Sequence, residues 1–343
     1  MDKYRIQLHT IASQCSILEA LDRLNALPSG EAMALVVTDP SGLVVGTLTD
    51  GDIRRAQLRG LSLSSQVSLA MHTAFSAIPA LGDAVDTLRD MRRRGLRLIP
   101  VTDPSGALVD LIDTLHTPSR LPLSAILMAG GKGERLRPLT LTTPKPLLPV
   151  GSRAIIDHNI DLLRRAGITD ISVTVNYLAE QIEAHFQGSE VKTVRELEPL
   201  GTIGAAALCD IPPSGASIVM NADLLTSISL EDMYIHHRAH AADITIAAIP
   251  YDVSIPYAIL STQGPSVVGL EEKPSYSYYA NAGIYIIDNS LLRSLPAAVR
   301  TDATDLIESA IRSGLTVTFF PISGTWIDIG SPADYSRACT LTN

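Results

Sequence analysis

From Leu123 onward, short apolar runs alternate with amphipathic stretches of helical period. SAILMA (124–129) reads as a buried strand, AIIDHNIDLLRRAG (154–167) as an amphipathic helix closed by Gly167, and ITDISVTVN (168–176) as the next strand. AEQIEAHFQG (179–188) is again helical, and SIVMNAD (217–223) and ADITIAAI (242–249) are again strands. Such alternation predicts an α/β architecture, a Rossmann-like, mainly parallel sheet with helices on both faces. Ligands of such sheets sit at the carboxyl ends of the strands, so the polar residues just after each apolar run carry the interest.

The first third of the chain has a different rhythm, and it repeats. Thr38-Asp39-Pro40-Ser41-Gly42 returns as Thr102-Asp103-Pro104-Ser105-Gly106, an offset of 102 − 38 = 64, and the same offset aligns Ala20, Asp22 and Leu24 with Ala84, Asp86 and Leu88. Each copy reads as an amphipathic helix, an apolar strand, a DPSG turn, a second strand and then polar helix-like sequence. Asp-Pro-Ser-Gly suits the turn because Pro presets φ and Gly accepts a positive one. Two prolines in His116-Thr117-Pro118-Ser119-Arg120-Leu121-Pro122 mark a boundary. The expected organisation is an α+β repeat pair over 1–118 and an α/β domain over 123–343.

Composition narrows the setting. The chain has 343 residues, 46% of them hydrophobic, which is ample for packed cores and excludes a disordered or fibrous protein. No apolar run approaches a membrane span, and the N-terminus lacks a secretory pattern. Cys15, Cys209 and Cys339 are widely spaced and form no metal or disulfide pattern, so a reducing, cytoplasmic location is expected. The formal charge is −9, of which residues 1–120 carry 12 − 13 = −1 and residues 121–343 carry 15 − 23 = −8. That balance excludes a nucleic-acid footprint, and Arg92-Arg93-Arg94 reads as a solvated helix face. Lysine is scarce: five in all, against 22 arginines, and three of the five lie in the motifs that follow.

Gly130, Gly131 and Gly133 directly follow the SAIL strand in MAGGKGERLRP. Glycines at this density let a backbone approach phosphate groups. The spacing is neither that of a P-loop nor that of a dinucleotide fingerprint. Together with Thr143-Pro144-Lys145-Pro146-Leu147-Leu148-Pro149, the segment closely resembles the signature of sugar-1-phosphate nucleotidyltransferases (nucleotide-diphosphosugar pyrophosphorylases), and the resemblance extends over essentially all of 123–343. It implies that the glycine loop and Arg135 clasp a triphosphate and that Lys145 neutralises phosphates at the reacting phosphorus. Elementary chemistry agrees, since such transfer needs fixed positive charge and in-line positioning more than covalent help.

Further residues extend the resemblance. Asp223 ends an apolar strand and Asp328 lies in Trp326-Ile327-Asp328-Ile329-Gly330; taken alone, each reads equally as a strand-end turn residue. The resemblance makes them the two metal ligands, and Mg²⁺ usually takes one or two carboxylates plus substrate phosphates. LEEKP (270–274) and NAG (281–283) resemble the sugar-phosphate element, implying that Glu272 accepts from sugar hydroxyls, Lys273 holds the sugar's phosphate and Asn281 contacts the sugar. Glu-Lys pairing on a surface turn is the alternative there. Glu196 opens ELEPLGTIGA, a segment containing Gly201 that resembles the base-binding stretch of guanylyl-transferring members. A carboxylate there can accept from guanine N1–H and N2–H₂, but Glu196 could also cap a helix or lie at the surface. Ala222, Ala258 and Ile203 depart from the family's usual residues around the metal, the sugar and the base.

Residues 46–52, Gly-Thr-Leu-Thr-Asp-Gly-Asp, resemble the strand end of a cystathionine-β-synthase (CBS) motif, and the duplication resembles a tandem CBS pair. That implies Thr49 and Asp52 as contacts for an adenine nucleotide; a helix cap needs the same residue types. The second copy departs, with Asp110, Asp113 and His116 at the corresponding positions. The expectation is an enzyme joining an NTP, GTP first, to a sugar 1-phosphate of glucosamine, mannose or heptose type, releasing pyrophosphate, with Mg²⁺ as cofactor. Glucosamine 1-phosphate ranks first among these, because some CBS-linked members of the family use it. A homo-oligomer is expected, because CBS pairs often associate. A silent nucleotide-sensing regulator and a cytidylyltransferase acting on a phosphorylated alcohol are the alternatives.

Overall fold

The computed structural model describes residues 3–341. They form two compact units, one comprising the chain through Leu121 with Arg165–Gly167, the other Pro122–Arg164 and the chain from Ile168 on. Among the described residues, no helix is long and apolar enough to cross a membrane.

The first unit holds two three-stranded sheets, Thr10–Ala12, Ala34–Thr38 and Val44–Thr49 in one, Ile78–Pro79, Leu98–Thr102 and Leu108–Asp113 in the other. In each, the first pair is parallel and the second antiparallel. The last two strands of the sheets correspond residue for residue at the 64-residue offset. In both DPSG turns the aspartate accepts from backbone N–H groups two and four residues on. The turns then bond to each other reciprocally, Val44 N–H to Gly106 O (3.0 Å) and Leu108 N–H to Gly42 O (3.3 Å), as a pseudo-twofold pair would. Each copy closes its own core, around Ile11, Ile17, Leu24 and Leu35 in the first and Ile78, Leu88, Met91 and Ile99 in the second.

The copies differ in their helices. Ile17–Asn25 starts from a Ser16–Glu19 capping box, whereas its counterpart Val85–Arg93 begins a turn later in the aligned sequence, with no side-chain cap from Ala84. Gly82, at φ +95°, stands where the first copy has Leu18 and ends any helical path there. Asp50–Leu58 follows the last strand of the first copy, but no helix follows Leu108–Asp113, contrary to the expectation of polar helical sequence in both. Pro118 and Pro122 each lack the N–H that a helix would need in that stretch.

The second unit is built on a seven-stranded sheet in the order Lys192–Arg195, Ile171–Val175, Leu123–Met128, Ala216–Asn221, Ser275–Asp288, Ile244–Ser254, Val317–Pro321. Only Ser275–Asp288 runs antiparallel to its neighbours. Helix Ile155–Arg165 buries Ile155, Ile156, Ile160 and Leu163 along one stripe, the period the sequence carries. The first four strands in that order are parallel and end nearly level, Val175 opposite Arg195, Thr174 opposite Met128, and Met128 opposite Asn221. Their carboxyl ends therefore deliver the glycine loop, Asn176, Glu196 and Asp223 to one edge of the sheet.

Candidate active site

At that edge lies a cavity of about 570 Å³ lined by Gly130, Gly131, Gly133, Arg135, Lys145, Glu196, Gly201 and Asp223, among others. Two of the glycines are needed for space. A side chain on Gly130 would come within 2.6 Å of Glu196 Oε1, and Gly133, at φ +60°, leaves 3.0–3.1 Å to Thr140 and Lys145 where a Cβ would stand. The buried Thr140 hydroxyl donates to Gly133 O (2.8 Å), holding the loop against the segment that carries Lys145.

Lys145 sits on the short 3₁₀ turn Lys145–Leu147, introduced by Pro144, and is more than nine-tenths buried. Its ammonium donates to Asp223 Oδ2 and lies 3.6 Å from Asp328 Oδ1. The two aspartates, 105 residues apart in sequence (328 − 223), meet because Leu224–Thr226 pairs antiparallel with Trp326–Asp328, with Leu224 directly opposite Asp328. Burial and the neighbouring Asp223 charge push the Asp328 carboxyl up, against the pull of Lys145 and Arg135. Asp223 Oδ1 is buried and has no hydrogen-bond partner. An orphaned carboxylate oxygen beside a second carboxylate is a donor set that fits a hard divalent ion completing its shell with phosphates. The Arg135 guanidinium packs about 3.3–3.5 Å from the position a Gly330 Cβ would take, so the glycine after Asp328 makes room for it.

Glu196 is buried rather than superficial. It accepts from Leu200 N–H through Oε2 (3.0 Å), which turns the chain toward Gly201, and Asn176 Nδ2 donates to its carbonyl (3.0 Å). Burial raises its carboxyl above the ordinary range, opposed by the Leu200 N–H. The far wall was not legible in the sequence. Asp302 Oδ1 accepts from Thr202 N–H (2.9 Å), Thr202 Oγ1 accepts from Ala303 N–H (2.8 Å), and Arg300 and Asp302 line the cavity. The spacing Asp302-x-x-Asp305 signals the capping box that starts helix Ala303–Arg312, but nothing in it points toward the cavity.

The sugar-phosphate residues divide. Asn281 stands on Ser275–Asp288, its side chain accepting from Gly283 N–H (2.9 Å), and Gly283 packs against the cavity residue Asn221. Glu272 and Lys273 are exposed, on the turn before that strand, and do not line the cavity. In the first unit, Thr49 and Asp52 form a reciprocal capping box for Asp50–Leu58: Asp52 Oδ2 accepts from Thr49 N–H (2.9 Å) and from its hydroxyl (2.6 Å), and Asp52 N–H donates back.

Residues 124–343, well over half of the chain, match the family model described as nucleotidyl transferase. The chain is 34% identical over 236 residues to a mannose-1-phosphate guanyltransferase of Schizosaccharomyces pombe, covering 64% of each chain, and 28% identical over 226 residues to mannose-1-phosphate guanyltransferase beta-A of Xenopus laevis, covering 62% of each. It thus spans less than two thirds of the length of these curated relatives. Among solved structures it is similar to a Bacillus anthracis protein assigned as a glucose-1-phosphate thymidylyltransferase (25% identity, TM-score 0.50, 64% of this chain and 95% of that one). It also shares the fold of HddC from Yersinia pseudotuberculosis (23% identity, TM-score 0.50, 64% of this chain and 100% of that one). With a glycine loop, Arg135, Lys145 and Asp223 converging at the strand ends of the matched region, the chain belongs to the nucleotidyl transferase family.

Proposed function

We propose that the protein joins GTP to a sugar 1-phosphate, giving a GDP-sugar and pyrophosphate. The observation that carries this reading is the convergence of Gly130, Gly131, Gly133, Arg135, Lys145 and Asp223 on one cavity, with the buried Glu196 carboxylate at its wall. A sugar-phosphate oxygen attacks the α-phosphorus in line, a new P–O bond forms, and the bond to the leaving pyrophosphate breaks. The exposed Arg135 and the buried Lys145 supply fixed positive charge to the triphosphate, and burial makes the lysine's charge worth more than it would be in water. Asp223 and Asp328 would hold Mg²⁺, which supplies further neutralisation of phosphate charge. Glu196 selects the base by accepting from guanine N1–H and N2–H₂, donors that uracil and thymine do not pair in the same way. From outside the cavity lining, Lys273 is assigned to the sugar's phosphate, and Glu272 and Asn281 to the sugar itself.

Among sugars, the mannose 1-phosphate named for the guanyltransferase relatives ranks first, ahead of glucosamine and heptose 1-phosphates. The test is pyrophosphate release with Mg²⁺ across GTP, UTP, CTP, dTTP and ATP, each against a panel of sugar 1-phosphates. Turnover with GTP and one sugar is expected; turnover only with a pyrimidine nucleotide would remove Glu196 as a guanine reader.

The first unit is read as a CBS-like module that takes an adenine nucleotide and modulates the transferase. A cleft of about 280 Å³ between its two copies, bordered by Thr47, Thr49, His72, Phe75 and Arg97, supports this reading. An Asp52→Ala variant whose response to ATP and AMP equals that of the parent would dispose of it.

A further inference from the structure

Helix Ile155–Arg165 carries a polar residue in the middle of its buried stripe. Ile155, Ile156, Ile160 and Leu163 are apolar, but Asn159, set among them, is only 1% exposed. A carboxamide loses its water there, so it is tolerated only where its donors find acceptors. Asn159 Nδ2 donates to Ala222 O (3.1 Å) and lies 3.5 Å from Ile155 O, the carbonyl one turn back. Both neighbours are carbonyls, which only accept, so the amide nitrogen and not its oxygen must face them.

Ala222 O lies where the sheet runs out of donors. The pairing of Ala216–Asn221 ends at Asn221 opposite Met128 on one side and at Met220 opposite Ile284 on the other. Ala222 and Asp223 then form a two-residue turn before Leu224 begins the next strand. Ala222 is fully buried, so its carbonyl needs a partner from the protein. That carbonyl shares one planar peptide group with the Asp223 N–H, so whatever holds it helps set the direction in which the Asp223 side chain leaves the backbone. Two further bonds pin the turn. Ala222 N–H donates to Met128 O (3.1 Å), and Ile329 N–H, next to Asp328, donates to Asp223 O (3.2 Å).

The same helix also reaches the lysine turn. Ile155 N–H donates to Leu148 O (3.1 Å), and Leu148 N–H donates to Lys145 O (3.1 Å). A single helical turn, from Ile155 to Asn159, therefore ties the backbone that carries Lys145 to the backbone that carries Asp223. We propose that Asn159 is a positioning residue for the metal site. By holding the Ala222–Asp223 peptide it keeps Asp223 Oδ2 on the Lys145 ammonium and leaves Oδ1 for the cation. The inference rests on the assignment of Asp223 to Mg²⁺, and Asn159 acts only through that aspartate. Leucine would fill a similar volume and suit the apolar stripe better; the Ala222 carbonyl is what calls for an amide.

Mn²⁺ binding to the full chain, followed by electron paramagnetic resonance, tests this. Asn159→Leu removes the donor at similar volume and is expected to weaken Mn²⁺ binding about tenfold, the low end of what a lost supporting hydrogen bond costs a metal site, with the circular dichroism of the parent. Asn159→Gln keeps the amide and should recover most of that loss. Because Asn159 acts through Asp223, Asn159→Leu should cost nothing further in an Asp223→Asn background. If the leucine variant does not fold, Asn159→Ser, whose hydroxyl is too short to reach Ala222 O, takes the same measurements with the same expected loss. A purely structural amide would lower the urea midpoint and leave Mn²⁺ affinity alone. Parent-like affinity in a folded leucine or serine variant, with Asp223→Asn weakened, would therefore overturn the role of Asn159 alone. So would losses from Asn159→Leu and Asp223→Asn that simply add. Mn²⁺ binding indifferent to Asp223→Asn would instead remove Asp223 from the metal site, and the inference with it.

Discussion

Asp113 and Asp223 each stand at or just past the end of a strand, yet their surroundings are opposite. Asp113 is fully buried, and its oxygens accept from Arg97, Arg5 and Leu115 N–H. Burial alone would push that carboxyl up, but the Arg97 guanidinium, the Leu115 N–H and Arg5 outweigh it and hold the group below the ordinary range. Asp223 receives one ammonium at Oδ2 and nothing at Oδ1. A satisfied carboxylate stabilises, whereas a buried oxygen without a partner costs free energy. The difference separates structural polarity in the first unit from chemical polarity in the second, although both use the same residue types at strand ends.

Substitutions at four positions test that contrast, beginning with the largest effect. Lys145→Ala removes a buried, positioned charge and should lower pyrophosphate release by about 10²–10³-fold while the circular dichroism spectrum stays that of the parent. Undiminished turnover would take Lys145 out of the mechanism. Asp223→Asn should weaken Mn²⁺ binding, followed by electron paramagnetic resonance, at least tenfold, about 1.4 kcal/mol, whereas Asp113→Asn should leave it unchanged. Equal losses in the two variants would erase the distinction between them.

Asp113→Ala should reverse the pattern, costing about 2 kcal/mol in urea unfolding with kcat intact. The pH dependence has a definite sign. The folded pKa of Asp113 lies below the unfolded value, so its contribution is complete above roughly pH 4 and fades as pH falls through the folded value. Parent and variant should therefore converge in stability in acid; a gap that widened there would contradict the arginine pairing. Thr49→Ala should have the smallest effect, about 1 kcal/mol from the lost cap, and Thr49→Ser should restore it. Asp328 carries the opposite sign to Asp113: its folded carboxyl is raised by burial and Asp223, so it takes up a proton at higher pH than an exposed aspartate.

Much of the site could be read along the chain because its parts are local. The glycine loop must follow a strand, Lys145 needs its proline-bounded turn, and Glu196 lies four residues before the Leu200 N–H it accepts from; such short-range constraints leave patterns in the sequence. Asp302, and Arg300 beside it, could not be read that way, because Asp302 reaches the cavity wall through a contact with Thr202, a hundred residues earlier. The sequence predicts the second helix of the repeat in both copies, yet it exists only in the first, as Asp50–Leu58. Asp113, at the cap position of Thr49, is engaged by arginines, and prolines follow it.

By itself, the sequence determined the repeat, the α/β alternation, the boundary near the two prolines and the glycine loop that follows a strand, since each depends on residues within one or two elements. Only the tertiary structure decided that Asp223 and Asp328 share one lysine, that one oxygen of Asp223 is left unpaired, and that the buried Asn159 amide meets the carbonyl just before Asp223. The physical reason is range. Backbone propensity and turn chemistry act between near neighbours and are written in the order of residues, whereas desolvation and charge pairing depend on which distant segments the sheet brings within a few ångströms.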